Sequence, residues 1–390
     1  MLRLLLLCTT ALAAAIPAQR TWIVDRLNRP GADFTDLPPA LQAASHGDTL
    51  LLRELPSGPD PTYTGTTTDK GVTLIGGGQG VLIRGTTTVI GLPRGASFAA
   101  HNVLFGYQSF SQQVPAIELR QNRGSVHFDG VRMDSDLGGP LVVDCDHVSW
   151  VNSPFACYRL PFTIQRSTVF FARSDIYGSL TDATIVCTDS DVTFVDCGIF
   201  GTNGGWIAPL CQPVGTPQPA LHTTDSRVLF GGRNAQIRGG NQMHPICGGM
   251  PSAWAVYAVG GKVVLDPAVF WTGWGLYGPV TTAPVWTLAS TPAVRGSSAV
   301  ADVIAPQGST SALFASLPVS RPLRLPFGDV WIDPVLHVVV DSGVHTGSTL
   351  RSVVVPISNV FPPGLPLLWQ AAALDAGGVV LTNPTVTVLR

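Results

Sequence analysis

One short triplet returns along much of the chain and limits the folds open to it. Val-x-Phe, or the same pattern with Trp or Leu in third place, begins at Val103, Val126, Val148, Val169, Val192, Val228 and Val263. The first four steps are 23, 22, 21 and 23 residues, and the last two, 36 and 35, carry extra residues at 204–219 and 239–251. Without those extras the period of about 22 residues continues. Seven residues after the valine stands another apolar side chain: Met133, Phe155, Ile176 or Ile199. Before it runs a third apolar stretch, as in Ile117-Glu118-Leu119, Leu141-Val142-Val143, Phe162-Thr163-Ile164 and Val256-Tyr257-Ala258.

Three short alternating strands per unit, broken by Gly, Asp and Asn, do not suit isolated hairpins of so regular a step. They suit a coil in which each strand lies parallel to its equivalent about 4.8 Å above, with Val, Phe and Ile turned inward. The expected fold is all-β: a right-handed parallel β-helix with three strands per turn. A leucine-rich horseshoe has a similar period, but it requires regular leucines and an asparagine ladder that this chain lacks.

Upstream, residues 34–45 read as a short helix with Leu37, Leu41 and Ala44 on one face, Asp36 as its cap and Pro38 and Pro39 in its first turn. Such a helix can close the open first rung of a solenoid. Leu41-Gln42-Ala43-Ala44, His46-Gly47-Asp48-Thr49-Leu50, Tyr63-Thr64-Gly65 and Gly71-Val72-Thr73-Leu74-Ile75-Gly76 follow in order. This series resembles the opening of pectin-lyase-like right-handed β-helix proteins, over about residues 20–280. The resemblance implies a fold shared by pectate lyases, polygalacturonases, other polysaccharide enzymes and many non-enzymatic surface proteins.

From about residue 284 the period stops. After a proline-rich stretch at 318–326, apolar or alternating segments at 335–340, 350–357, 366–374 and 379–389 are expected to form a small antiparallel β-sandwich. The ending, Gly364-Leu365-Pro366-Leu367-Leu368-Trp369 with Leu381-Thr382-Asn383, resembles a terminal β-module of undefined role on bacterial secreted proteins. At the other end, Arg3, the apolar run from Leu4 and small residues up to Gln19 have the form of a secretory signal peptide, too short for a membrane anchor. The expected division is therefore a signal at 1–19, a β-helix at 20–283 and a C-terminal β-domain at 284–390, in a secreted or cell-surface protein.

Charged residues make up only 12% of the chain and the net charge is −2, so no global field draws it to nucleic acid or anionic lipid. Beyond Cys8 there are six cysteines, an even set that suits an oxidising compartment. Cys145, Cys157, Cys187 and Cys197 fit either disulfides or buried thiols. Cys211 and Cys247 stand at nearly equal distances before Val228 and Val263, which predicts a disulfide between them. His244-x-x-Cys247 offers too few ligands for zinc, so no metal site is expected.

Polysaccharide-cleaving β-helices use clustered aspartates, or a basic residue beside Ca²⁺, on an outer sheet face. The aspartates here scatter in offset from the repeat, and the polygalacturonase elements are absent. Tyr158-Arg159-Leu160-Pro161 resembles the Arg-x-Pro element of pectate lyases, which makes Asp144, Asp146 and Arg159 the candidate catalytic set. Calcium is a cofactor only on that reading. The two insertions bear Trp206 and Met243, and Trp254 follows them, candidates for a sugar-stacking or protein-binding surface. The expected function is non-catalytic binding of polysaccharide or cell-surface components, with a polysaccharide lyase or glycoside hydrolase as the alternative.

Overall fold

The computed structural model describes residues 19–389 apart from 56–61, 79–80, 108–113, 136–137, 158–159, 179–181, 204, 208–211, 215, 245–247, 251 and 326–327. The proposed signal segment falls outside them, as do Arg159, Cys211 and Cys247. The chain winds into a parallel β-helix with one sheet of eleven strands and two of nine. Every pairing within these three sheets is parallel, each strand lying on its equivalent one turn away, as in Val126↔Val148↔Val169↔Val192↔Val228↔Val263. The second sheet stacks Leu119, Val142, Ile164 and Cys187 inward, and the third stacks Phe105, Met133, Phe155, Ile176, Ile199 and Ile237.

Inside the first sheet the third residue of the triplets from Val126 to Val228 builds a column of rings. Phe128 stacks on Trp150 with centroids 4.5 Å apart, and Phe171 on Phe194 at 4.9 Å, both nearly coplanar. Stacking identical positions forces like side chains together, so an aromatic at one rung favours an aromatic at the next. One element of the repeat differs from expectation. The strand beneath Val126 is Ser97–His101, with Phe98 opposite Val126, while Val103 ends a corner and Phe105 belongs to the third sheet. The Val103 triplet has the right residues in the wrong column, because a longer connection separates the early turns.

The corners explain how so tight a coil turns. Asn102, Asn152, Arg173 and Asp196 leave the first sheet in the left-handed conformation, and Gln121, Asp144, Arg166, Asp189 and Asp225 leave the second in the same way, all with φ between 46° and 55°. Except at Asn102, which Val103 follows, the next residue is a buried Ser, Asn or Cys that builds a polar ladder. The Ser167 Oγ receives the Cys145 N–H, Ser190 receives that of Ser167, and Ser226 that of Ser190, each at 3.0–3.2 Å. Each hydroxyl then donates to the carbonyl two residues back, so the corner amides are satisfied without water.

Cys145 and Cys197 occupy ladder positions, their thiols donating to the carbonyls of Val143 and Val195. Cys157 and Cys187 face the core from strands of the third and second sheets. All four are free and buried, so of the two readings open to them the buried thiol holds, as small core groups or serine substitutes. Burial pushes their thiols up, to about 11 for Cys145 and about 12 for Cys157 and Cys197.

The helix Leu37–Ala43 closes the start of the coil with Leu37, Ala40 and Leu41 buried. Asp36 caps it, accepting the Leu37 N–H at 2.8 Å, and Lys70 Nζ donates to the carbonyls of Leu41, Gln42 and Ala44 at its far end. These two ends meet the orphaned amides and carbonyls of a short helix.

The last strand of the parallel ladder is Val280–Thr282, and antiparallel pairing begins with Thr287–Ser290. Three strands (Thr287–Ser290, Ser298–Ile304, Leu350–Pro356) form one layer, and a second sheet contains Thr310–Leu325, Gly328–Val344, Pro366–Asp375, Gly378–Leu381 and Thr385–Val388. Leu288, Val303, Val353, Leu313, Leu367 and Trp369 share the core between them. As far as Leu325 the proline-rich stretch is part of the strand Thr310–Leu325 rather than a connection. Beyond Ser316 that strand keeps its pairing on one side only, so Pro318 and Pro322 lie where the sheet has one partner fewer.

The sandwich sits on the outer face of the first sheet. Trp331, Ile332, Leu368 and Val386 pack on Phe170, Ala289 on Val151, Ala172 and Val195, and Arg173 pairs with Asp302 at 2.6 Å. Beneath it lie buried His101, His127, His147, Ser149 and Asp129, with the His127 Nδ1 2.8 Å from Ser149 Oγ. Desolvation holds His147 down to about 3 and His127 well below its ordinary value.

Candidate functional site

Aromatic side chains gather on the outside of the last turns. In the second sheet, His222, Tyr257 and Tyr277 occupy the same outward position on three successive rungs. Parallel stacking brings Tyr257 and Tyr277 to 4.7 Å with their rings 7° from coplanar, and sets His222 edge-on to Tyr257 at 5.2 Å. Around the corner, Trp254 lies 5.7 Å from Trp274 and 5.5 Å from Tyr277. Trp274 is 58% exposed and Tyr277 47%.

The corner that presents Trp274 is built by glycine. Gly273 and Gly275 both have φ near +120°, and a Cβ on Gly273 would stand 2.6 Å from the Ala253 carbonyl. The Trp274 N–H donates to that carbonyl at 2.9 Å and the Gly275 carbonyl accepts from Ala255, so the projecting indole rests on a fixed backbone. On the third sheet a second ladder continues the surface. Tyr177 stacks on Phe200 at 4.8 Å, and the Arg238 guanidinium lies between Phe200 and Phe270, 5.8 Å and 5.5 Å from their rings.

Both insertions leave the coil at the corner between these ladders. They form the hairpins Gly205–Ile207 with Gln212–Val214 and Gln242–His244 with Gly248–Met250, whose bases are joined where Gly240 donates to Gln218 and Ala253 to Gly240. Trp206 and Met243 lie on hairpin strands, and Trp254 is in the aromatic cluster itself. The expected Cys211–Cys247 bridge lies outside the described residues. Tyr257, Phe270, Trp271, Trp274 and Tyr277 were not among the sequence candidates, although four of them crowd into residues 270–277.

Asp144 and Asp146 flank a corner between the second and first sheets. Arg166 grips Asp144 through two bonds of 2.7 Å and 3.0 Å, which holds its carboxyl below the usual range, and Arg123 reaches Asp146 at 3.0 Å. Each carboxylate is thus joined to an arginine from a different neighbouring turn. Arg159, the third member of that set, lies outside the described residues. Among the described residues no group of three or more His, Cys, Asp or Glu side chains could hold a metal ion. No helix among them is long and apolar enough to cross a membrane. No protein-family model and no curated protein matches the chain.

Proposed function

We propose that the chain is an exported, non-catalytic member of the pectin-lyase-like β-helix superfamily that binds glycan through the aromatic surface of its last turns. The signal-like segment at 1–19 and the opening motifs support export and membership. The observation that carries the binding reading is the cluster in which exposed Trp274 and Tyr277 are backed by partly buried Trp254 and Tyr257 on a sheet and corner. Contiguous exposed aromatics mark interaction surfaces in soluble proteins. Flat rings with polar edges suit the C–H face of a sugar ring while leaving its hydroxyls solvated. Rungs that repeat along one axis suit a linear chain of such rings. The surface reading gives Asp144 and Asp146 a structural role, as partners of Arg166 and Arg123.

The test is retention of the secreted protein on immobilised neutral and uronic-acid polysaccharides, scored beside release of reducing ends or unsaturated product. Retention on at least one polymer without turnover, lost in Trp274→Ala and Tyr277→Ala, is expected. Retention that survives both substitutions, or turnover of any polymer in the panel, overturns the proposal.

A further inference from the structure

We infer that the cleft between the first sheet and the C-terminal sandwich is a second ligand site, one that takes a free mono- or disaccharide rather than a polymer. The cleft encloses about 580 Å³, within the range of roughly 300–1,000 Å³ typical of small-molecule sites, and its walls come from both parts of the chain. From the coil come Thr168, Asp191, Thr193 and Arg227, and from the sandwich side Trp331 and Asp329.

Bonding within the walls separates this cleft from an ordinary gap. Asp191 and Arg227 are register neighbours on adjacent rungs, opposite in charge, yet they form no ion pair, and neither side chain bonds to any other described residue. Elsewhere on the coil, opposite charges on neighbouring turns do close, as in Arg166–Asp144 and Arg123–Asp146. Of the cleft's other polar wall groups, Thr382 and Asn383 are bonded within the sandwich, while the Asp329 carboxylate and the hydroxyls of Thr168 and Thr193 bond to no other described residue. Trp331, 97% buried, completes the wall on the sandwich side.

A second cavity, of about 480 Å³, supplies the contrast. Its carboxylates are already engaged: Asp196 accepts from the Arg233 and Asn234 amides, Asp175 from Gly198, and Asp302 pairs with Arg173. Among the described residues every carboxylate of the second cavity thus has a partner, whereas those of Asp191 and Asp329 in the first have none.

The unpaired groups define a chemistry. A carboxylate beside a guanidinium matches adjacent hydroxyls, each of which both donates and accepts. A second carboxylate on the opposite wall and threonine hydroxyls extend the same pattern, while Trp331 and the apolar flank of Phe170 and Leu229 suit the C–H face of a ring. Because the walls belong to two packed parts of the chain, an occupant ties the sandwich to the coil and stabilises the folded state by mass action.

The experiment titrates the intact protein with glucose, galactose, N-acetylglucosamine and glucuronate and with cellobiose, lactose and chitobiose, following indole fluorescence and thermal unfolding. At least one sugar is expected to bind and raise the unfolding temperature. Arg227→Ala and Asp191→Asn should each weaken it about ten- to a hundredfold, the loss expected for a charged hydrogen-bond partner. Neither should change the unfolding temperature without sugar, since neither side chain has an internal partner. Trp274→Ala should lose polymer retention and keep sugar binding, so failure of the surface reading leaves this one standing. No binding by any of these sugars, or binding that both cleft substitutions leave intact, overturns the inference.

Discussion

The two ends of the coil meet the same physical problem in opposite ways. At the start, the exposed rung is roofed by the helix Leu37–Ala43, and two carboxylates tie the lid to its surroundings. Asp48 accepts from the Arg20 and Ser45 amides and the Trp22 indole at 2.9–3.0 Å, and Asp36 serves Leu37, Arg26 and Thr64. At the finish, the last strand of the third sheet, Phe270–Thr272, is exposed at all three residues, and Trp271 occupies an inward column with no rung above it. A solenoid that needed only to end would bury or charge such a rung. This chain closes one end with a buried helix and leaves exposed rings at the other.

Acid should give the largest separation between the regions. His127 and His147 are buried as neutral rings under the sandwich, so the unfolded chain takes up protons below about pH 6.5 while the folded one resists until His147 reaches about 3. Stability therefore falls as the pH drops through that window, by up to about 1.4 kcal/mol per pH unit for each histidine. The lid behaves differently. Burial alone would raise Asp25, but bonds from Arg29, the Leu27 amide and Arg53 outweigh it and hold the carboxyl at about 2, so its contribution is lost only as pH falls from about 4 towards 2. Hydrogen exchange at pH 5 should show the first sheet opening under the sandwich before the lid; simultaneous opening breaks the contrast.

Leu37→Ala should come next, costing about 2–5 kcal/mol for a fully buried leucine, read from the urea midpoint. A loss well under that range would mean that the lid is ornamental. Asp36→Ala removes a helix cap and should cost about 1 kcal/mol in the same measurement. Trp274→Ala, at the other end, should change stability by less than about 0.5 kcal/mol while abolishing polymer retention. A destabilisation as large as that of the lid substitutions would make Trp274 part of the fold.

The coil was legible because stacking repeats one environment, and the chain answers with one residue type: Val126, Val148, Val169 and Val192 do occupy a single column. Legibility failed where the environment changed. Val103 mimics the triplet but falls outside the column, since a longer connection shifts the early register. Pro318 reads as a breaker in one dimension, and only pairing in three dimensions shows that its strand has already lost one neighbour. Cys145 and Cys197 suggest bridges until their places in a hydroxyl ladder are seen. The aromatic surface was half visible: Trp254 was identified beside its loops, but its meeting with Trp274 and Tyr277 depends on a glycine corner and on stacking across turns. The cleft left no mark in the sequence, because its walls are contributed by residues more than a hundred positions apart.

The serine ladder at the corners has a consequence for how such a chain can change length. Each hydroxyl serves its own turn and the turn below and nothing more distant, so a rung carries within itself all that its neighbour requires. Duplicating or excising one whole unit between Val169 and Val192 leaves every amide with a donor or acceptor at hand, whereas gaining or losing a single residue misaligns the row. Growth by copying is therefore open to this molecule, and gradual drift in the length of a turn is not.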